Sequence, residues 1–422
     1  MFTNAKDLIS YIEGLKRPEK KETLQYMNEL VAFFGNPHKK LKFIHIGGTN
    51  GKGSTVTYVK SILLAAGYHV GTYISPYVVC FNERITFDDC YISDESIVAI
   101  GNEIISRFDQ MEANGLRHPS FFEFVTLLAL LYFSSLETID FVVFEVGIGG
   151  KLDCTNIIFP LVSAVTNVTY DHMNILGNTL DEIWDNKLGI VKENTPFVTI
   201  NDIEFVPKIK AVCQSKNAPL TLIDKKEACQ ISIGLEGTQF DYKQLKKISL
   251  NLLGAHQIEN AMMAIKIIWI LSKDYDINEE HIKNGLKQAF WPGRLEKVNA
   301  DPLILIDGAH NIDGIKRLTE FIHTTKNNRY VRIVFAVSAN KEKEKMIPLL
   351  EAEADEMIFT HFEYKRSDES SHLYDLSTHP NKKIIDDLEE IIHLTKKSFA
   401  GVTVFCGSLF FISEIRNKFL KK

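Results

Sequence analysis

Residues 43–54, Phe-Ile-His-Ile-Gly-Gly-Thr-Asn-Gly-Lys-Gly-Ser, join an apolar β-branched run to two glycines, a lysine and a serine. A strand that ends in a glycine-rich loop and leads into a helix lets backbone N–H groups turn inward onto phosphate oxygens. The helix N-terminus adds its partial positive charge. In this reading Gly51, Lys52 and Ser54 carry the chemistry and the loop cradles the phosphates of a nucleotide. Lys52 reaches the outer phosphates and the Ser54 hydroxyl lies beside any bound metal. The general phosphate loop has four residues between its glycines and places Ser or Thr directly after Lys; here Gly53 intervenes. A tight turn without a ligand is the plain alternative.

Three more side chains stand at or just beyond apolar, strand-like runs in the same half: Ser75, Glu145 and His172. In an open α/β sheet ligands bind at the carboxyl ends of the strands, so topology could bring these three to the phosphate loop. A hydroxyl, a carboxylate and an imidazole can hold a divalent cation, and hard oxygen ligands favour Mg²⁺ although His is not its usual partner. Each has a simpler reading: a turn serine before Pro76, a capping or lysine-paired carboxylate, a solvated histidine. Lys187, in Asp-Asn-Lys-Leu-Gly-Ile, reads on its own as a surface lysine. Asp307-Gly-Ala-His310-Asn follows another apolar run, as does Cys406-Gly-Ser408. Asp-Gly is also an ordinary turn dipeptide.

The elements that must position these groups alternate. Two helices are predicted over 4–35, and a helix from Thr55 to Ala66 after the loop. Strands are expected at 70–74, 141–146, 161–167, 197–200 and 219–223. Helices are expected from Ser93 towards Met111, over 124–133, 180–191 and about 204–215. Residues 76–92 read as a long loop, and 229–253 as antiparallel hairpins. Helices follow at 257–271 and 279–290. Trp291-Pro-Gly-Arg294 breaks the pattern and opens a second series: strands at 303–306, 331–337, 357–360 and 402–406, with helices at 312–323, 341–351, 387–397 and 409–419. Strands alternating with helices predict mostly parallel sheets. The fold class is α/β, with a phosphate-loop domain over 1–296 and a smaller Rossmann-like domain over 297–422.

A chain of 422 residues is too long for one ordinary core, which suits two or three domains. A net charge of −6 argues against a broad nucleic-acid surface. No apolar run approaches the roughly 18 residues of a membrane span. The N-terminal segment has no apolar core of a secretion signal. Six cysteines with no Cys-x-x-Cys pair read as reduced thiols in a cytoplasmic protein.

Taken together the motifs are those of a family. Gly48–Ser54, Ser75-Pro76, Phe81–Ile85, Phe121–Phe124, Glu145–Asn156, Asp171-His172, His256–Asn260, Pro292–Arg294 and Asp307–Asn311 occur in order along nearly the whole length. The chain resembles the folylpolyglutamate synthases and bifunctional dihydrofolate synthases of the Mur ligase superfamily. Gly53 between Lys and Ser, a fault against the general loop, is what this family shows.

The resemblance implies an ATP-dependent ligase that adds L-glutamate to the carboxylate of folate or dihydropteroate through an acyl phosphate. It implies ATP contacts at Asn50–Ser54, Asn260, Arg294 and Asp307, and Mg²⁺ ligands at Ser75, Glu145 and His172. Lys187 matches a position carbamylated in many members, where it would serve a second Mg²⁺; K⁺ is a further implied cation. Lys52, Lys187, His310 and Ser408 form the implied catalytic set. Ser120, Phe121, Phe122, Glu123, Leu152, Asp153, Cys154 and Arg84 form the implied substrate set. A monomer acting on small molecules, without nucleic acid or membrane, completes the expectation. Ser120, Lys151 and Cys154 stand where Thr, Arg and Ala are common in the family, which bears on the acceptor and not on the ATP site. Asn340-Lys-Glu342 replaces a more usual Asp-Lys-Asp. Two alternatives stay open: a Mur-type ligase acting on a UDP-muramyl substrate, and a nucleotide-binding module without acyl chemistry.

Overall fold

The computed structural model describes residues 1–15, 23–77, 80–363, 367–397 and 400–420. Its internal contacts group the chain into two compact units, Met1–Lys226 with Glu259–Leu286, and Glu227–Ile258 with Lys287–Lys422. The break read at Trp291–Arg294 falls just after the last passage between units. The earlier excursion over 227–258 is marked in the sequence only by its short alternating runs.

The first unit runs α1 (Ala5–Glu13), α2 (Gln25–Phe33), β1 (Phe43–Gly47), α3 (Lys52–Ala65), β2 (Val70–Tyr73), β3 (Ile85–Phe87) and β4 (Cys90–Tyr91). It continues with α4 (Asp94–Ser106), α5 (Phe108–Ala113), α6 (Phe121–Ser135), β5 (Phe141–Glu145), β6 (Val162–Val165), α7 (Met173–Leu176) and α8 (Leu180–Lys187). It closes this stretch with β7 (Phe197–Ile200), α9 (Val206–Ser215) and β8 (Leu220–Ile223). The eight strands form one sheet in the order β4-β3-β2-β5-β1-β6-β7-β8. All pair in parallel except β3 and β4. Strands β1 and β5 are buried at every residue, which is why they read as continuous apolar runs. Helix α6 is apolar around most of its circumference and packs Phe124, Leu127, Leu128 and Phe133 into the core beside Phe144.

The chain leaves β1 leftwards through α3 to β2, later inserts β5 between β2 and β1, and continues rightwards to β6. That reversal is a topological switch point. The carboxyl ends of β5, β1 and β6 are therefore adjacent, and ligands of such sheets bind there.

Several local expectations change. The segment 76–92 is not one long loop: its described part holds a 3₁₀ turn at Phe81–Arg84 and the β3–β4 hairpin, turned at Asp88 with φ 53°. Residues 78 and 79 of that segment lie outside the described residues. Strands of three and two residues are too short to show a period of two. The helix expected to run towards Met111 is broken at Arg107 into α4 and α5. Helix α3 begins at Lys52, three residues earlier than the apolar pattern indicates, because its first turn faces the loop and carries glycine and serine.

The second unit opens with an antiparallel three-stranded sheet of β9 (Ala228–Gly234), β10 (Gly237–Tyr242) and β11 (Leu245–Leu250), as the alternating runs suggest. The chain then returns to the first unit, to which most of α10 (His256–Leu271) and α11 (Glu279–Gln288) belongs, before the second unit resumes. The rest is β12 (Glu296–Asn299), β13 (Leu303–Asp307), α12 (Ile312–Thr325), β14 (Tyr330–Phe335), α13 (Lys343–Glu351), β15 (Glu356–Phe359), α14 (Ser370–Leu376), β16 (Lys382–Ile384), α15 (Leu388–Lys396), β17 (Gly401–Cys406) and α16 (Leu409–Leu420). The six strands order as β12-β13-β17-β14-β15-β16, with only β12 antiparallel. The sequence reading missed β12, α14 and β16. Glu-Lys-Val-Asn and Lys-Lys-Ile are edge strands, where lysine is tolerated and no apolar run marks the element. All six cysteines are free thiols. Among the described residues no helix is long and apolar enough to cross a membrane.

Candidate active site

The phosphate loop is built by the end of β1 and held by the segment after β6. Thr49 N donates to Asn167 O at 2.8 Å and Asn50 N to Asn167 Oδ1 at 2.8 Å. Thr166 Oγ1 donates to Asn50 O at 2.6 Å. Gly51, at φ 85°, precedes the first turn of α3, and a Cβ there would lie 2.3 Å from Asn260 Oδ1. Glycine is thus required twice over, for the backbone conformation and for the close approach of α10. Gly53 lies inside the first turn of α3, where its carbonyl accepts from Thr57 Oγ1 at 2.9 Å.

Two lysines converge on one carbonyl. Lys52 Nζ donates to Gly48 O at 3.2 Å and to Thr49 O at 3.1 Å. Lys187 Nζ donates to the same Gly48 O at 2.8 Å. Lys187 is 3% exposed, so the surface reading of this residue is wrong. Burial first, and the like charge of Lys52 second, bring its amine down to about 7, against the opposing pull of Asp171 and Asp153.

Glu145 ends β5, buried, with Ile46 of β1 as its register partner. Its Oε1 stands 3.9 Å from Lys52 Nζ, and its Oε2 accepts from Ser75 N at 3.2 Å. The structure therefore brings Ser75, Glu145 and Lys52 together. His172 stands exposed on the segment after β6, at φ 50°, its N–H on Asp171 Oδ1. Among the described residues no group of three or more His, Cys, Asp or Glu is disposed to hold a metal. What the donor set offers a hard cation is the buried Glu145 carboxylate, an oxygen ligand of the kind Mg²⁺ takes, with Ser75 bonded to it through its backbone N–H and Ser54 in the first turn of α3.

The substrate set of the sequence reading falls into two linked groups. Arg84, buried, lies with its guanidinium 5.1 Å from the Tyr77 ring centre, 5.8 Å from Phe81 and 5.3 Å from Phe121. Its Nε has no hydrogen-bond partner. Burial holds it below the usual arginine range, and the charge of Glu145 is among those that support it. Phe122 covers Gly147, where a Cβ would meet the Phe122 ring at 2.6 Å and Asp153 Oδ2 at 3.0 Å. Leu152 is half-buried beside them.

Ser120 and Glu123 have a structural task that the sequence reading did not give them: they form the capping box of α6. Glu123 accepts from Ser120 N and Ser120 Oγ, and takes both Arg117 Nη atoms at 2.9 Å. Arg117 in turn stacks 3.6 Å from the Tyr26 ring centre. The Glu123 carboxylate is thus committed inside the protein and positions α6. Cys154 has no exposed surface, so the residue read as a substrate contact packs in the core.

In the second unit Asp307 ends β13 and Cys406 is its register partner on β17, which places Ser408 on the adjoining turn. Asp307 accepts from Leu295 N and Ala309 N, each at 2.8 Å. Burial raises its carboxyl, and Arg294 opposes that rise. Gly308 N donates to Gly293 O, which ties the Pro292–Leu295 turn to the end of β13. His310 Nδ1 donates to Gly308 O at 2.8 Å, leaving Nε2 as the basic nitrogen of the neutral ring. Ser408 Oγ accepts from Phe410 N and caps α16.

Sequence reasoning missed Thr166 and Asn167, the side chains that hold the loop. Their signal was two polar residues directly after an apolar strand. It also missed His45, a polar residue inside such a strand.

Family models match in register with this geometry. The Mur ligase middle domain matches residues 46–268, and the Mur ligase glutamate ligase domain matches residues 293–409. A dihydrofolate synthase/folylpolyglutamate synthase of Bacillus subtilis is 38% identical, with 99% of this chain and 100% of that protein covered. The crystal structure of a Thermotoga maritima folylpolyglutamate synthase superposes with a TM-score of 0.87 at 31% identity, over 99% of this chain and 97% of that one. An E. coli FolC in complex with DHPP and ADP superposes at 0.86 with 26% identity, over 99% and 97%. With the phosphate loop, the Glu145 strand end and the Asp307–Asn311 turn all present and these matches spanning it, the chain belongs to the Mur ligase family, in its folylpolyglutamate synthase and dihydrofolate synthase branch.

Proposed function

We propose that this protein joins L-glutamate to the carboxylate of a folate, with dihydropteroate as a second acceptor, at the expense of ATP. The observation that carries the reading is one stretch of the first unit. The phosphate loop and Lys52 meet Glu145 there, and the Arg84–Phe121 and Phe122–Asp153 contacts lie on the elements that flank it. A carboxylate is a poor acyl donor. Transfer of the γ-phosphoryl group forms a bond from a carboxylate oxygen to phosphorus and breaks the bond to the β-phosphate oxygen, leaving ADP and an acyl phosphate. The glutamate amine then attacks the acyl carbon, phosphate departs, and the nitrogen loses a proton. His310, with Nε2 as its basic nitrogen, is the proposed acceptor of that proton.

Backbone N–H groups of Gly51–Ser54 and the N-terminus of α3 hold the phosphates in place, and Lys52 leaves its carbonyl partners to offset charge on the group in flight. Ser75, Glu145 and His172 are the proposed Mg²⁺ ligands, and the ion would supply further charge neutralisation at the phosphates. Asn260, Arg294 and Asp307 are proposed ATP contacts. Lys187, with its amine near neutrality and buried, suits carbamylation: the nitrogen lone pair bonds to the carbon of CO₂, one proton leaves, and a carboxylate results. That group is the proposed holder of a second Mg²⁺. Free thiols and the lack of an apolar span among the described helices suit action in the cytoplasm.

The test is a panel: ATP, Mg²⁺ and glutamate with dihydropteroate, a tetrahydrofolate or a UDP-muramyl substrate. Phosphate release is expected with the pterins alone. Turnover of the muramyl substrate, or none with any pterin, overturns the reading.

A further inference from the structure

The strand that delivers the phosphate loop carries a polar side chain with no part in the chemistry above. His45 lies at the centre of β1 and has no exposed surface. Its Nε2 is 2.8 Å from Thr155 Oγ1, and Thr155 Oγ1 is 2.6 Å from Asp153 Oδ1. An ionised carboxylate only accepts, so the hydroxyl proton of Thr155 goes to Asp153. The same hydroxyl must then accept from the imidazole, which places the ring proton on Nε2. Asp153 Oδ1 also accepts from Thr155 N at 3.0 Å, and Oδ2 from Ile148 N at 2.9 Å. Of about four acceptor positions on a carboxylate, three are taken and one, on Oδ2, is left.

The far side of the ring is as specific. His45 Nδ1 has no hydrogen-bond partner, and neither has Ser163 Oγ, whose residue is the register partner of His45 on β6. Asn156 Oδ1, one residue beyond Thr155, is a third such buried atom. Leaving these buried polar atoms without partners costs free energy that packing alone does not return.

We propose that His45 is a positioning residue for the acceptor substrate: through Thr155 it fixes the Asp153 carboxylate so that its one remaining lone pair meets a ring N–H of the pterin. This rests on the folate-ligase reading above, in which Asp153 touches the acceptor. Without the His45–Thr155 link the Thr155 hydroxyl has no donor to hold its rotor, its bond to Oδ1 weakens, and the carboxylate is aimed at the acceptor less tightly by the two backbone N–H groups that remain. The phosphate loop is anchored instead by Thr166 and Asn167 and does not depend on the link.

The test compares His45→Leu, His45→Gln and Thr155→Val in steady-state assays with each substrate varied in turn. His45→Leu and Thr155→Val are expected to raise KM for the pterin about tenfold, the effect of one lost hydrogen bond of ordinary strength, while KM for ATP stays within about twofold. His45→Gln presents an Nε2–H near the same place and is expected to keep the wild-type KM. The double variant His45→Leu/Thr155→Val is expected to be no worse than either single one, because both break one chain. Equal rises in both KM values, failure of His45→Gln to rescue, or additive effects overturn the proposal. If His45→Leu does not fold, Thr155→Val alone decides between a rise confined to the pterin and none. The histidine tautomer, read by ¹⁵N NMR in the substrate-free protein, is expected as Nε2–H in the wild type and released in Thr155→Val. A wild type that turns over no pterin sinks the function and this inference together. A wild type that does, with variants of unchanged KM, sinks this inference alone.

Discussion

A lysine amine with 3% exposure, a second lysine nearby and one backbone carbonyl as partner gives up its proton far more readily than a solvated one. Lys187 holds its proton to about pH 10.5 in the unfolded chain and releases it near pH 7 in the folded one. Between those values the unfolded state binds more protons, so stability rises with pH. Below about pH 7 both states are charged, and the full penalty of burying the ammonium remains. Lys52, Asp171 and Asp153 are the charged groups that set this balance. Lys187→Met removes the titration, and its urea midpoint is expected to climb less than that of the wild type between pH 7 and pH 10. Parallel curves would mean that Lys187 presents no buried titrating amine in solution, being either solvated or already carbamylated.

At the scale of elements, α6 shows how a motif read as a binding site acts first as a helix start. Ser120 and Glu123 satisfy the free N–H groups of the first turn, and Glu123 also neutralises Arg117. Glu123→Ala removes the reciprocal cap and leaves a half-exposed arginine that water can solvate. The expected cost is about 1–2 kcal/mol in urea unfolding. Loss of pterin turnover without loss of stability would instead assign Glu123 to the substrate. The hairpin β3–β4 carries the same lesson about length: the Arg84 turn is placed by strands too short to announce themselves, so Arg84 was legible as a motif while its aromatic surroundings were not.

At the scale of the molecule, the sheet β9–β11 is grouped with residues Lys287–Lys422 although some thirty residues of the first unit separate them. Ile233, Leu235 and Leu253 pack against the core formed by α12, α13 and the central strands of that unit. A fragment of residues 287–422 alone is expected to expose this apolar surface, bind a hydrophobic dye and aggregate. Fusing 227–258 to it is expected to suppress both. Equal behaviour of the two fragments in dye binding and sedimentation would remove the hairpin sheet from the second unit.

The alternation of strands and helices, the phosphate loop, the nine ordered motifs and the family they point to were all determined by the sequence, because each is a local pattern of residue types. Periodicity over a buried strand and the glycine demand of a loop need no knowledge of distant residues. The tertiary structure alone decided the rest. It placed the carboxyl ends of β5, β1 and β6 side by side and buried Lys187 on Gly48 O. It also joined His45 to Asp153 across 108 positions of sequence through Thr155. Those outcomes depend on strand order and on desolvation, which are properties of the packed chain and are written in no single stretch of it.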